Sequence, residues 1–326
     1  MPPDVAALLV LCGTTAAGLA AWPLRRASAR PRVASLVALG ALCFALPLAF
    51  VRDASLGWRI AAGAGPPILA LKLRDLHVGV AWWRAQPTGR WIVTILVPFV
   101  LVPRLHASAP PVPRSHALRR LAVGLLEVSI GLVLLDRART VDWAAHGFAV
   151  EHVVRVLLLY LVAFDGGLAV LGALLALGGL ARRPFTQDPI LAATPAGFWR
   201  RYNLEAGRWF HADVFRPLRH RRGPVAATMG TFLVSGLLHE HLAAVLVGRV
   251  QGYQLAFFLV HGLAVVATAR WRPRGPYRVL GIALTFAFVT ITAVLFFASL
   301  ENIAPGRLYR GGALLPTLLG RAPHTP

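Results

Sequence analysis

Long apolar segments recur along this chain, and most of them approach the roughly 20 residues that a helix needs to cross the hydrocarbon core of a bilayer. Hydrophobic residues make up 57% of the sequence and the mean hydropathy is +0.63, a balance that is unusual for soluble domains. We therefore expect an all-α, polytopic bundle of transmembrane helices that forms a single domain over residues 1–326. The apolar segments lie at 5–22, 33–51, 57–71, 91–103, 117–135, 148–180, 224–247, 252–269 and 277–300.

This pattern predicts about eight or nine membrane segments, of which two are short. Residues 57–71 contain GAGPP and residues 91–103 contain Pro98, so both are expected to be re-entrant or broken. If 57–71 dips into the membrane and returns, the arginine clusters at 25–32, 104–120, 182–222 and 270–278 share one face. The positive-inside rule then favours about eight crossings, an external N-terminus and a cytoplasmic connection at 181–223.

The net charge of +21 is explained by the membrane topology, because the arginines lie in the short connections between apolar segments. The expected partners therefore include membrane lipids and no nucleic acid, and the expected location is a bacterial inner membrane. Asp4 precedes the first apolar segment and no basic residue does, so this segment is expected to be a permanent span. Cys12 and Cys43 lie inside apolar segments and indicate neither a disulfide nor a metal cluster.

Residues 197–217 read as an amphipathic helix lying at the membrane surface. Its aromatic residues share one side, and its arginines, Arg200, Arg201 and Arg208, share the other. Asn203 falls among the aromatic residues, where a buried amide needs a partner or a function. Two interpretations stay open: Asn203 caps a break in the helix or bonds a nearby backbone group, or it takes part in chemistry.

The apolar segment 224–247 carries a polar face with a histidine on it. Thr228, Thr231, Ser235 and His239 follow spacings that place them on one side of a helix. His239 lies about 22 Å along a helix that starts near Pro224, so it is within the hydrocarbon layer. An ionisable residue at that depth is either a core histidine with satisfied hydrogen bonds or a functional group.

A metal site is not expected at this histidine. The sequence HEHLA has Ala243 where an HExxH zinc motif has its second histidine. His239 and His241 are two residues apart and so point to different faces of a helix.

Three stretches, FWRRYN, VFRPL and FLVSGLLHE, occur in this order within about 60 residues, from Pro184 to His241. The chain resembles the membrane-bound O-acyltransferases through them, most closely the wax-synthase-like branch, and 184–241 is its motif region. The sequence LALKLRDLHVG at 69–79 is weakly similar to an earlier conserved region of that branch. Tyr202 stands where the branch usually has tryptophan and Arg200 where glycine is common, which affects the expected pocket shape more than the reaction class.

The resemblance implies transfer of an acyl chain from acyl-CoA, the co-substrate, to a hydroxyl-bearing acceptor in a tunnel through the membrane. The acceptor would be a long-chain alcohol, a lipid, a sugar or a secondary metabolite, and no bound cofactor is implied. His239 corresponds to the family's catalytic histidine and Asn203 to its polar partner. Five further residues are candidates for substrate binding: Trp199, Arg200, Arg201, Arg208 and Ser235.

The chemistry of these side chains suits that reaction. An imidazole can remove the proton of an alcohol as it attacks a thioester, and an amide can donate a hydrogen bond to the resulting oxyanion. Arginines at a tunnel mouth suit the phosphates of coenzyme A, although positive-inside topology alone would also place them there.

Other polar residues within apolar segments leave a competing function open. Glu151 and Arg155 are expected to form an ion pair within a helix. Glu127, Asp165 and His261 would either link helices or line a cavity. A transporter could use these three residues and His239 to bind or relay protons. A non-catalytic scaffold is a third possibility, against which the presence of both Asn203 and His239 argues.

Overall fold

The structure is a computed structural model that describes residues 1–97, 99–138, 140–141 and 143–303. Every regular element in these residues is helical, which confirms the predicted all-α fold. The α-helices are α1 Pro3–Ala20, α2 Ala29–Phe50, α3 Leu56–Val78, α4 Val80–Arg84, α5 Thr88–Leu96, α6 Pro103–Ala107, α7 Arg114–Ala138, α8 Phe148–Leu159, α9 Gly166–Leu177, α10 Pro195–Trp199, α11 Leu204–Phe210, α12 Arg216–Val247, α13 Tyr253–Thr268 and α14 Pro276–Ile303. Wider π-helical turns join α8 to α9 at Tyr160–Asp165 and α11 to α12 at His211–Phe215.

Several of these helices have the length and composition of membrane spans. Five stretches in the described residues qualify: Pro3–Arg26, Ala29–Phe50, Phe148–Leu177, Leu204–Val247 and Pro276–Asn302. The apolar α13 is shorter. The multi-pass membrane fold is thus confirmed, whereas the count of eight crossings and the orientation stay predictions.

One compact unit comprises residues 1–109 and 238–250. Its core contains a tryptophan cluster, in which Trp22 stacks on Trp91 at 5.7 Å and Trp83 packs edge-on against both. The Trp91 indole also donates to the carbonyl of Gly18 at 3.1 Å. The cluster therefore anchors α5 against the end of α1.

The predicted interruption within 57–71 is wrong, because α3 continues through Pro66 and Pro67. A proline removes one helical hydrogen bond, and contacts with neighbouring helices can offset that loss. Here α3 packs along both α1 and α2. Gly63 also lets α3 approach α12 closely, since a Cβ at that position would lie only 3.0 Å from Cγ1 of Val245.

The predicted interruption within 91–103 is confirmed, because α5 ends at Leu96 and α6 begins only at Pro103. Pro98, which motivated the prediction, lies outside the described residues. The buried Lys72 ammonium donates to the carbonyls of Thr94 and Val97, each at 2.5 Å, and so satisfies the broken end of α5. The neighbouring Asp75 accepts from Arg104 at 2.6 Å.

The second unit comprises the described residues within 110–237 and 251–303. Within it α7 packs closely on α9, since a Cβ on Gly124 would lie 3.0 Å from that of Ala169. The predicted ion pair is confirmed, with Arg155 and Glu151 3.4 Å apart on α8. The short α10 packs on α13, which in turn packs on α14. These contacts fix α10, which carries the first residues of the FWRRYN stretch.

Helix α12 contributes residues to both units. Gly223 interrupts it with a φ of 81°, and the helix resumes at Pro224 and ends at Val247. Ser235 and His239 therefore lie one helical turn apart on a single continuous helix.

Candidate active site

The motif region does not form the single helix predicted for 197–217. Helix α10 ends at Trp199 and α11 begins at Leu204, so the chain leaves helical geometry between them. The physical reason is Asn203, whose backbone is left-handed with a φ of 40° and a ψ of 61°. Asparagine adopts this conformation more readily than most residues and is also a favoured helix N-cap.

The side chain of Asn203 caps α11. Its Oδ1 accepts a hydrogen bond from the backbone N–H of Ala206 at 3.3 Å. The capping interpretation of Asn203 is therefore confirmed for its carbonyl oxygen. The same amide also carries an NH2 group, and no group in the described part of the chain accepts from it. A single side chain can thus shape the turn with one atom and offer a donor with the other.

The segment 184–188 holds this turn from both sides. The backbone N–H of Leu204 donates to the carbonyl of Phe185 at 2.8 Å, and that of Gln187 donates to the carbonyl of Arg201 at 3.0 Å. The backbone on either side of Asn203 is therefore fixed by hydrogen bonds to one facing segment.

Trp199 lies in an aromatic cluster, and its indole has a defined partner. Its ring packs against Phe198, Tyr202, Phe232 and Phe258. Its Nε1–H donates to Nδ1 of the fully buried His261 at 2.9 Å.

The hydrogen bonds of His261 determine its tautomer. An indole N–H can only donate, so Nδ1 of His261 accepts and the imidazole is neutral with its proton on Nε2. That proton is donated to Oγ1 of Thr292 at 2.8 Å. His261 therefore links α10 to α13 and α14, which supports its structural interpretation.

Replacing His261 by leucine is expected to destabilise the protein by about 1–3 kcal/mol, because it leaves the Trp199 N–H buried without an acceptor. Thermal unfolding in detergent measures this loss. His261→Gln keeps an acceptor and a donor and should lose less. Equal stability of the leucine variant and the wild type would contradict the assigned role.

Arginines from two segments line one open cavity of about 360 Å³, a volume typical of ligand pockets. Arg200 and Arg201 come from the turn before Asn203, and Arg272 and Arg274 from the connection between α13 and α14. None of the ten residues that line it is acidic. Partial burial, together with the charges of Arg272 and Arg201, lowers the pKa of the Arg200 guanidinium. A bound anion would relieve this repulsion.

The structure separates the other predicted substrate-binding residues from this cavity. Arg208 donates to Glu205 at 2.8 Å and to the carbonyl of Pro184 at 3.1 Å, so its guanidinium holds α11 in place and does not line the cavity. Ser235 is buried on α12 and His239 is half-buried one turn later. The pairing of His239 with Asn203 stays a prediction.

Two sets of residues near the motif were not singled out by sequence reasoning. Arg272 and Arg274 were counted only as a basic connection, and nothing in their spacing pairs them with Arg200. Tyr160 and Thr186 both donate to the buried carboxylate of Asp165, at 2.7 Å each. Asp165 therefore links segments of the chain, one of the two roles left open for it. Within the described residues, no group of three His, Cys, Asp or Glu side chains could hold a metal ion.

No family model matches the chain, but curated proteins are similar to part of it. It is 31% identical over 142 residues to probable long-chain-alcohol O-fatty-acyltransferase 2 of Arabidopsis thaliana, covering 39% of the chain and 41% of that protein. It is 32% identical over 145 residues to acyl-CoA–sterol O-acyltransferase 1 of the same plant, covering 40% and 41%. Sterol O-acyltransferase 2 of Rattus norvegicus is 31% identical over 97 residues, covering 29% and 18%.

These similarities confirm the resemblance that the motifs indicated. The matched region spans about two fifths of the length of the plant relatives.

Proposed function

We propose that the protein is a membrane O-acyltransferase that uses acyl-CoA to esterify a hydroxyl group. The observation that carries the proposal is the construction of the short segment 192–203. It lines an arginine cavity with Arg200 and Arg201, and immediately afterwards it presents the side-chain amide of Asn203. A candidate site for an anionic donor is thus followed, two residues later in the chain, by a hydrogen-bond donor suited to acyl transfer.

The arginine cavity would bind the nucleotide part of the donor. Coenzyme A carries a diphosphate and a ribose phosphate, and guanidinium groups form bidentate, charge-assisted hydrogen bonds with phosphate oxygens. Arg200 and Arg272 come from separate segments and their positive charges repel each other. Both would therefore gain from an anion between them.

His239 would act as the general base and Asn203 as the oxyanion donor. His239 accepts the acceptor's hydroxyl proton while that oxygen bonds to the thioester carbon. The Asn203 NH2 group donates to the oxyanion of the tetrahedral intermediate. The intermediate then expels the thiolate of coenzyme A, which takes the proton from His239, so that the ester and free coenzyme A leave a neutral imidazole.

An apolar hydroxyl compound is the acceptor class that we favour. The relatives carry the names of long-chain-alcohol and sterol acyltransferases. The half-buried His239 also lies on a helix with the length and composition of a membrane span. An apolar acceptor dissolved in the membrane would reach this helix from the hydrocarbon layer.

The test is an acyl-transfer assay with the purified full-length protein. Radiolabelled palmitoyl-CoA is offered with hexadecanol, a sterol, glucose or no acceptor, and labelled esters are separated from free fatty acid. Ester formation that depends on one acceptor supports the proposal. Hydrolysis alone, or no turnover with folded protein, contradicts it.

Neutralising two cavity arginines, with Arg200→Gln and Arg272→Gln combined, is expected to raise the KM for acyl-CoA about tenfold with little change in kcat. Tenfold corresponds to about 1.4 kcal/mol of lost binding. Steady-state kinetics in low salt measure it. Arg270→Gln is the matched control, since Arg270 belongs to the same connection but does not line the cavity.

These arginines would either bind the phosphates of coenzyme A or serve only to orient the protein in the membrane. An acyl donor that lacks the nucleotide distinguishes the two roles. With palmitoyl-pantetheine, the double variant and the wild type should have equal KM values. A KM that rises equally with both donors would show that the arginines do not bind the phosphates.

The described contacts do not favour the transporter alternative. Both carboxylate oxygens of Asp165 accept from hydroxyl groups, and both ring nitrogens of His261 are held by Trp199 and Thr292. Groups fixed in this way suit a rigid scaffold better than a proton relay.

A further inference from the structure

We infer that Asp165, acting through Thr186, positions the amide of Asn203 for the reaction. The inference rests on the proposed function, because it concerns the same site. Asp165 and Thr186 would be positioning residues that touch neither substrate. Their role would be to hold the segment that faces the Asn203 turn.

The first link joins a buried carboxylate to that segment. Asp165 is 3% exposed and ends the π-helical turn between α8 and α9. Its Oδ1 accepts from the hydroxyl of Thr186, which is 1% exposed, and its Oδ2 accepts from the hydroxyl of Tyr160. The Tyr160 oxygen also accepts from the backbone N–H of Ile190 at 3.1 Å. The carboxylate therefore holds the segment at two points, residues 186 and 190.

The second link joins the segment to the Asn203 turn. The two residues beside Thr186 form the hydrogen bonds that bracket the turn, Phe185 with Leu204 and Gln187 with Arg201. A displacement of Thr186 would move both bonds together. The position of Asn203 therefore depends on the hydroxyl of Thr186 although the two side chains are not bonded.

Both the segment 184–188 and the Asn203 turn that it faces contain a residue with an unusual backbone conformation. In the part of the chain that the structure describes, Asp188 and Asn203 are the non-glycine residues with positive φ, at 49° and 40°. Such conformations persist where the surrounding structure determines them, and they are frequent at functional sites. Here the hydrogen bonds of Asp165 with Thr186 and Tyr160 would hold these two conformations in place.

A matched pair of substitutions tests the link. Thr186→Val keeps the shape of the side chain but removes the hydroxyl, and Thr186→Ser keeps the hydroxyl. We expect the valine variant to lower kcat about tenfold to a hundredfold with an unchanged KM for acyl-CoA, since misplacing a catalytic group by about 1 Å has effects of this size. The serine variant should retain most of the wild-type kcat. Equal kcat values for the wild type and a folded Thr186→Val protein would overturn the inference.

A double substitution distinguishes positioning from general destabilisation. If Thr186 acts through the Asn203 amide, Thr186→Val should have no further effect on kcat in an Asn203→Asp background, where the amide is already absent. An equal fold-loss in both backgrounds would mean that Thr186 acts elsewhere. If Thr186→Val does not accumulate as folded protein, Tyr160→Phe takes its place with the same expected pattern and a smaller loss.

The same measurements separate this inference from the proposed function. Inactive Asn203→Asp with fully active Thr186→Val rejects the positioning role alone. Fully active Asn203→Asp rejects the proposed role of the amide, and the positioning role with it.

Discussion

His239→Ala is expected to lower kcat of acyl transfer by about 10²–10⁴-fold, the usual contribution of a general base. An alcohol is a weak nucleophile at neutral pH, so without an imidazole to accept its proton the attack on the thioester becomes slow. Ester formation from radiolabelled acyl-CoA measures the effect. The KM for acyl-CoA should change little, because the nucleotide part of the donor is assigned to the arginine cavity.

His241→Ala is the control for this substitution, since it removes the same side chain two residues further along α12. The His241 ring packs edge-on against Phe44 at 5.0 Å and has no role in the proposed chemistry. Full turnover by a folded His239→Ala protein would reject the acyl-transfer mechanism. Equal losses in both variants would assign the effect to the helix as a whole.

The helical fold could be predicted from the sequence because long apolar segments leave few alternatives in a membrane. Local exceptions were harder to predict. Residues 91–103 were correctly expected to be interrupted, whereas α3 runs unbroken through Pro66 and Pro67. The difference lies in tertiary contacts, because α3 packs against both α1 and α2, whereas helix propensity describes a segment without its neighbours.

The candidate site was only partly predictable for a similar reason. Asn203 was recognised as the unusual residue of its segment, and capping was one of its two interpretations. The helical wheel assumed a continuous helix, however, and so could not show that one helix ends at Trp199 and that Asn203 caps the start of the next. The partners that the structure adds, Thr186 for Asp165 and Arg272 for Arg200, lie far away in sequence and in segments without a recognisable motif.

Asn203→Asp is expected to lower kcat by about 10²–10³-fold while the protein stays folded, as for loss of one oxyanion donor. The carboxylate still accepts from the Ala206 N–H, still suits a helix N-terminus and still tolerates the left-handed backbone. It cannot donate to an oxyanion, and its charge opposes the one that develops. Steady-state kinetics and thermal unfolding of the same preparation separate the two effects.

Asn203→Gly and Asn203→Ala complete the test, because each removes the amide with a different effect on the turn. Glycine adopts a positive φ without strain and loses only a few tenths of a kcal/mol as an N-cap, so this variant should be inactive yet stable. Alanine loses the cap and strains the left-handed backbone, so it should be inactive and about 1–3 kcal/mol less stable. Activity that followed the stability of the variants, with glycine close to wild type, would leave Asn203 a structural cap alone. Loss of activity in all three variants, whatever their stability, would assign the chemistry to the NH2 group and the turn to Oδ1.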